Sequence, residues 1–215
     1  GSRALPGAFF VTMPILIFDT ETTGKYNFKQ GFLHPSQPRI VSVGAMAMSD
    51  DGQHEDGQFY GIVRPDDFVI PEDASRIHGI TQEFALKNGM DGLGVINSFL
   101  RLFVGCRLAV AFNSQFDYHM VMSEIVRRCP DHDHLFDKRK IRCAMLAAAS
   151  CMKRPNEYGY EGYAWPKLQE AYAWMFKQQM EGAHHAMGDV RATTYLSFAM
   201  MSLNYWNIDT DQVLI

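Results

Sequence analysis

The sequence predicts an α/β domain that opens as a β meander and then alternates helix with strand. Three apolar runs sit early in the chain, at residues 15–19, 40–48 and 58–63, separated by breaks rich in Gly, Pro and Asp. From residue 95 onward, apolar residues recur at helical spacing, interrupted by short apolar runs at 108–112 and 136–142. Composition agrees: 215 residues, 47% apolar and 20% charged, suit one soluble domain with a sizeable core.

The first strand runs from Ile15 through Phe18, Asp19, Thr20 and Glu21 to a stop at Gly24. Side chains alternate along a strand, so Asp19 and Glu21 emerge on one face and Thr20 on the other. Two adjacent carboxylates at the mouth of a core strand repel each other and lose hydration. A hard divalent ion with oxygen ligands, Mg²⁺ or Mn²⁺, relieves both costs. Taken alone, the pair also fits a strand end that is merely acidic.

Residues 25–39 carry Gly, Pro and aromatic residues without periodicity and read as an excursion loop. Residues 40–48 form the second strand, Asp50-Asp51-Gly52 a turn, and 58–63 the third strand, which Pro65 ends. Asp73 is expected to cap a short helix stopped by Gly79, and Thr81 to start another. Val95, Ile96, Phe99, Leu100 and Phe103 define one helical face. A fourth strand follows at 108–112. Asn113 or Ser114 then caps a helix with Asp117 in its first turn, where an acid can meet a metal beside a phosphate-attracting helix start. Ordinary capping electrostatics explain an acid there equally well.

A fifth strand is expected at 136–142 and helices at 144–152 and 167–176. Between them, residues 156–166 form a Tyr/Gly-rich loop whose rings either stack on unpaired bases or pin the loop to the core. A last amphipathic helix continues to about Leu203. His184 and Asp189 lie about 140° apart on a helix, so they share a site only if His184 sits on the approach loop. There it is a titratable group able to take a proton near neutral pH. His185 reads as structural or surface.

Residues 1–12 read as a cloning remnant or disordered lead-in, without the charged start and long apolar segment of a secretory signal. The lack of a signal pattern makes a cytoplasmic protein the expectation, and no stretch approaches the roughly 20 apolar residues of a membrane span. Cys106, Cys129, Cys143 and Cys151 contain no CxxC pair and read as free thiols. Cys129, His132, His134 and Cys143 match no common zinc spacing. A net charge of −4 argues against gripping nucleic acid by bulk electrostatics, but not against holding phosphate through bound metal. Eight cations concentrate in one region: Arg127, Arg128, Lys138, Arg139, Lys140, Arg142, Lys153 and Arg154. They form either a phosphate-tracking rim or a solvated surface.

In their order, Asp-x-Glu in a strand, Asn-x-x-Phe-Asp at a strand-to-helix junction and His-x-Ala-x-x-Asp opening a late helix resemble the motifs of the DEDDh, or DnaQ-like, 3′→5′ exonucleases. Ile77-His78-Gly79-Ile80-Thr81 resembles the family's intermediate signature, and the similarity runs over residues 13–203. The loop at 25–39 is longer than the family pattern, and residues 138–142 match it weakly. The resemblance implies a ribonuclease H-like fold, a mixed five-stranded sheet flanked by helices, with residues 13–215 forming a single exonuclease domain. It implies that Asp19, Glu21, Asp117 and Asp189 bind two divalent ions, Mg²⁺ or Mn²⁺, and that His184 is the general base. Thr22, Thr23, His78 and Phe116 resemble positions lining the terminal nucleotide's site. The implied activity releases nucleoside 5′-monophosphates from single-stranded 3′ ends, DNA before RNA. The alternatives are an exoribonuclease acting on RNA ends or short oligomers, a proofreading subunit with a polymerase partner, and a non-catalytic binding module. Retention of all four acids and the histidine argues against the last.

Overall fold

The chain's first strand becomes the middle of its sheet. In the computed structural model, which describes residues 13–157, 162–180 and 185–210, β1 (Ile15–Thr22) pairs antiparallel with β2 (Ile40–Met48) and parallel with β4 (Leu108–Ala111). The edge strands β3 (Glu55–Ile62) and β5 (Ile141–Cys143) complete a mixed sheet ordered β3-β2-β1-β4-β5. Helices α1 (Glu72–His78), α2 (Gln82–Asn88) and α3 (Gly92–Gly105) follow β3, and α4 (Ser114–Arg128) follows β4. After β5 come α5 (Ala144–Met152), α6 (Leu168–Phe176) and α7 (Ala186–Ser202). None of the described helices is long and apolar enough to cross a membrane.

β1 reads as an unbroken apolar run because both its faces are covered. Leu16 and Phe18 pack with Phe99 and Phe103 of α3, Met120 of α4 and Phe136. Ile15 and Ile17 pack on the opposite face with Ala144 of α5 and Val190 and Leu196 of α7. Strand alternation carries this division into the polar end of β1. Asp19 and Glu21 continue the face covered by α7, and Thr20 continues the face covered by α4.

Local chemistry sets the element ends. Gly79, at φ 77°, adopts the left-handed conformation that stops α1, and the Thr81 hydroxyl accepts from Phe84 N to start α2. The 25–39 excursion is irregular but anchored. The buried Gln37 side chain accepts from Asn27 N and donates to the carbonyls of Asn27, Gln30 and Gly31.

Several expectations need correction. β3 begins at Glu55, not at residue 58. Residues 130–135 and 138–140 form 3₁₀ turns, so the fifth strand shrinks to Ile141–Cys143. Pro130 opens the first turn, and the Asp137 carboxylate caps the second by accepting from Arg139 N. Pro71 occupies the N-cap of α1, leaving Asp73 in the first turn. Asn113 occupies the N-cap of α4 without a side-chain capping bond.

Much of the basic region also makes bonds within the fold. Arg127 and Arg128 surround Glu124, Arg139 pairs with Asp137, and Arg154 pairs with Glu170. Lys140 donates to Cys106 O and Arg142 to Ile208 O. The Cys129–Cys143 group is no zinc site. Cys143 is buried in β5 with its thiol directed to Phe112 O, and among the described residues only an acidic trio has metal-holding spacing.

Candidate active site

The acids meet where β1 leaves the sheet. Asp19 and Glu21 project from β1 toward α7, whose first turn supplies Asp189; one carboxylate oxygen from each lies within 4.8 Å of the others. Close approach of α7 is permitted by Gly44, paired with Asp19 across β1 and β2. A Cβ there would stand 3.0 Å from the backbone of Ala186.

Asp117 reaches this end of the sheet from the opposite face. Its buried Oδ1 accepts from Thr20 N at 3.1 Å and from Thr20 Oγ1 at 2.7 Å. It stands beside the trio rather than within it, linked through Thr20, which lies between Asp19 and Glu21 on the face of β1 that α4 covers. Its charge is nevertheless felt there. Burial, then the carboxylates of Asp117, Glu21 and Asp189, push the Asp19 carboxyl far above the usual range. Burial, Asp189 and Asp117 push Glu21 up to about 7. Burial raises Asp117 too, although the two bonds from Thr20 pull the other way.

A donor set of carboxylate oxygens crowded to this degree fits a hard divalent cation, which removes the repulsion while keeping every group ionised. No soft ligand stands in the trio. His184 lies outside the described residues. His185 is the N-cap of α7, with its ring 5.0 Å from that of Tyr60 and tilted by 30°, so it ties the helix start to β3.

Beside the acids opens a cavity of about 470 Å³, walled by β1 and the chain after it, by α1 and by Phe116 of α4. Thr22, Thr23, His78 and Phe116 all line it. The two threonine hydroxyls are engaged within the chain: Thr22 Oγ1 donates to Gly24 O, and Thr23 Oγ1 accepts from Arg39 N. His78 differs. Its ring is 5% exposed, and Nδ1 accepts from Ile80 N, which places the proton on Nε2. That buried Nε2 has no hydrogen-bond partner among the described residues, and burial lowers the ring's pKa, in keeping with the neutral tautomer that the Ile80 bond selects. A neutral N–H in a cavity wall is a donor lacking an acceptor.

Sequence reasoning missed Lys25, Asp73 and Ile77, which also line the cavity. Asp73 and Ile77 fall at i and i+4 on α1, as do Ala74 and His78, a spacing that places each pair on one side of the helix. Thr20 was assigned no role, and a glycine inside the β2 run was the unread signal of close backbone approach.

The mixed five-stranded sheet, ordered β3-β2-β1-β4-β5 and covered by helices on both faces, is a ribonuclease H-like fold. The sequence matches the family model RNase_T, described as exonuclease, over residues 16–197. The chain therefore belongs to this DEDDh, DnaQ-like exonuclease family. Among solved structures it resembles exonuclease I, with a TM-score of 0.70 and 21% identity over 89% of this chain. It resembles E. coli exonuclease I in a zinc-bound complex with single-stranded DNA (TM-score 0.69, 20% identity) and in complex with a dT13 oligonucleotide (0.67, 20%), again over 89% of this chain. The alignment covers 41% of each of those chains, so this chain spans about two fifths of their length. No curated protein matches the sequence.

Proposed function

We propose that this chain is a divalent-metal-dependent 3′→5′ exonuclease that hydrolyses the terminal phosphodiester of single-stranded 3′ ends, preferring DNA and releasing nucleoside 5′-monophosphates. The observation that carries the reading is the convergence of Asp19, Glu21 and Asp189 from β1 and α7 at the edge of a cavity large enough for one nucleotide. The complexes of E. coli exonuclease I with single-stranded DNA supply the substrate class by similarity of fold.

In this reading Asp19, Glu21, Asp117 and Asp189 hold two ions, Mg²⁺ or Mn²⁺. When bound, the pair orients the scissile phosphate and neutralises the charge that grows on it. Thr20 fixes the Asp117 carboxylate by two hydrogen bonds, so that acid is oriented before any ligand arrives. The cavity takes the terminal nucleotide, with the Phe116 ring against its base or sugar and the His78 Nε2–H donating to one of its oxygens. Thr22 and Thr23 shape the wall next to Glu21. His184, two residues before α7 in the sequence, accepts the proton of the attacking water as the new P–O bond forms and the bond to the departing 3′ oxygen breaks.

An end-labelled substrate panel tests the proposal: DNA and RNA, single- and double-stranded, with Mg²⁺, Mn²⁺ or chelator. The expected result is stepwise shortening from the 3′ end of single-stranded DNA, abolished by chelator and by Asp19→Asn. Endonucleolytic cuts, shortening from the 5′ end, or full turnover by Asp19→Asn would overturn it. Faster shortening of RNA than of matched DNA would transfer the reading to an exoribonuclease.

A further inference from the structure

We propose that the 25–39 loop and the adjoining face of α4 form a stacking platform for the nucleotide immediately 5′ of the one in the cavity. This inference rests on the exonuclease reading and extends it to the second substrate position.

The loop departs directly from the cavity wall: Gly24 and Lys25 line the cavity, and Tyr26 and Phe28 follow. Tyr26 is buried, whereas Phe28 is 53% exposed, an unusual position for a large ring that already packs on one side. The Phe28 centroid lies 5.1 Å from those of Tyr26 and His119, and His119 also packs against Tyr26 and Phe32. His119 Nδ1 donates to Gln115 O at 2.6 Å, which fixes the ring against α4. The Gln37 side chain ties the later part of the loop to Asn27, Gln30 and Gly31. The exposed side of Phe28 is thus supported from below by fixed rings and needs no ordering when a ligand arrives.

Position and charge identify the occupant. Phe116 in the cavity wall and His119 under Phe28 are three residues apart on α4, one neighbouring step on a helix surface and about 4.5 Å along its axis. Successive bases along a strand are separated by a comparable distance, about 3.4 Å when stacked. Lys25 and Lys29, three residues before and one after Phe28, are exposed, so the same loop carries two cations available to the linking phosphates. A supported aromatic face between cations suits an unpaired base and its backbone, with little preference among bases.

The test compares wild type with Phe28→Ala, Phe28→Leu and Phe28→Tyr on two kinds of readout. The first is binding of a fluorescein-labelled oligothymidylate by anisotropy. The second is turnover of a short oligothymidylate against the p-nitrophenyl ester of thymidine 5′-monophosphate, which has no second nucleotide. Ala and Leu should each weaken oligonucleotide binding and raise its KM about fivefold or more. The ester's kcat/KM should stay within about twofold, and Tyr should restore oligonucleotide binding. Unchanged oligonucleotide affinity in Phe28→Ala, or equal losses on both substrates in Phe28→Leu, would overturn the platform. If wild type hydrolyses neither substrate while Ala and Leu still lose oligonucleotide affinity, the exonuclease reading fails and the platform stands.

Discussion

Glu124 is 2% exposed yet charged, and three guanidiniums converge on it. Arg39 Nε donates at 2.6 Å, Arg128 Nε at 2.7 Å and Arg127 at 3.0 Å, while Asp67 holds Arg39 and Arg128 from the solvent side. Glu124→Gln removes the only buried anion from this cluster and turns an amide NH₂ toward a cation. Breaking a buried ion pair costs about 3–5 kcal/mol, and the partial exposure of the arginines favours the lower end, about 3 kcal/mol. In a chain of this size that corresponds to a Tm lower by about 6–12 °C. Burial raises the Glu124 carboxyl, but the bonds and charges of Arg39, Arg128 and Arg127 outweigh it and hold the group below its ordinary value. A depressed folded pKa stabilises fully above the unfolded value, about 4.3, and that contribution is lost as pH falls through the folded value. Urea denaturation of both proteins should therefore show the full gap from pH 7 to about pH 5, closing below pH 4. The cluster also bears on the cavity, because the Arg39 backbone brackets Thr23 with bonds of 2.8 and 2.9 Å. The variant should raise the oligonucleotide KM several-fold with little change in kcat. A gap under about 1 kcal/mol at pH 7, or one as large at pH 3.5 as at pH 7, would refute the reasoning.

Three further outcomes are expected. Gly44→Val forces α7 away from β2, so the rise in Tm on adding Mg²⁺ should shrink and turnover should fall more than stability does, as measured by thermal scans beside activity assays. Asp19→Asn relieves carboxylate repulsion, so it should melt higher than wild type in chelator while losing both the Mg²⁺-induced Tm rise and all turnover. His184→Ala should lose turnover by about 10²–10⁴-fold yet keep the Mg²⁺-induced rise, whereas His185→Ala, which removes a ring from Tyr60, should lose Tm more than turnover.

What was legible in the sequence was whatever a single element determines. Strand alternation placed Asp19 and Glu21 together, and helical spacing put Val95, Phe99 and Phe103 in the core, because both follow from backbone geometry. The pairing of Arg39 with Glu124 and Asp67 was not legible, since counting cations says nothing of the carboxylates that tertiary folding brings to them. The fifth strand was overdrawn for a related reason. Its apolar residues are real core residues, but Asp137 caps a turn in their midst by a side-chain bond that periodicity does not register.

The link between Asp117 and the trio was hidden for a different reason. It depends on one residue of β1 facing away from its acidic neighbours, so Thr20 becomes the means by which α4 is keyed to the site. The same helix explains why that key is stable. Asp117 and Glu124 are seven residues apart, within about 20° on the helix surface, so both lie on its buried face. Two turns away Glu124 is held from outside the helix by Arg39, just before β2, and Asp117 is held by Thr20 of β1, which ties α4 to the sheet at two points along one line. A helix held at one point can rotate or slide, and one held at both can do neither without breaking buried charge-assisted bonds. Glu124→Gln and Thr20→Val should both weaken Mg²⁺ binding measured by calorimetry. In the double variant the losses should be less than additive, because each releases the same helix. Strictly additive losses would mean that the two anchors act independently.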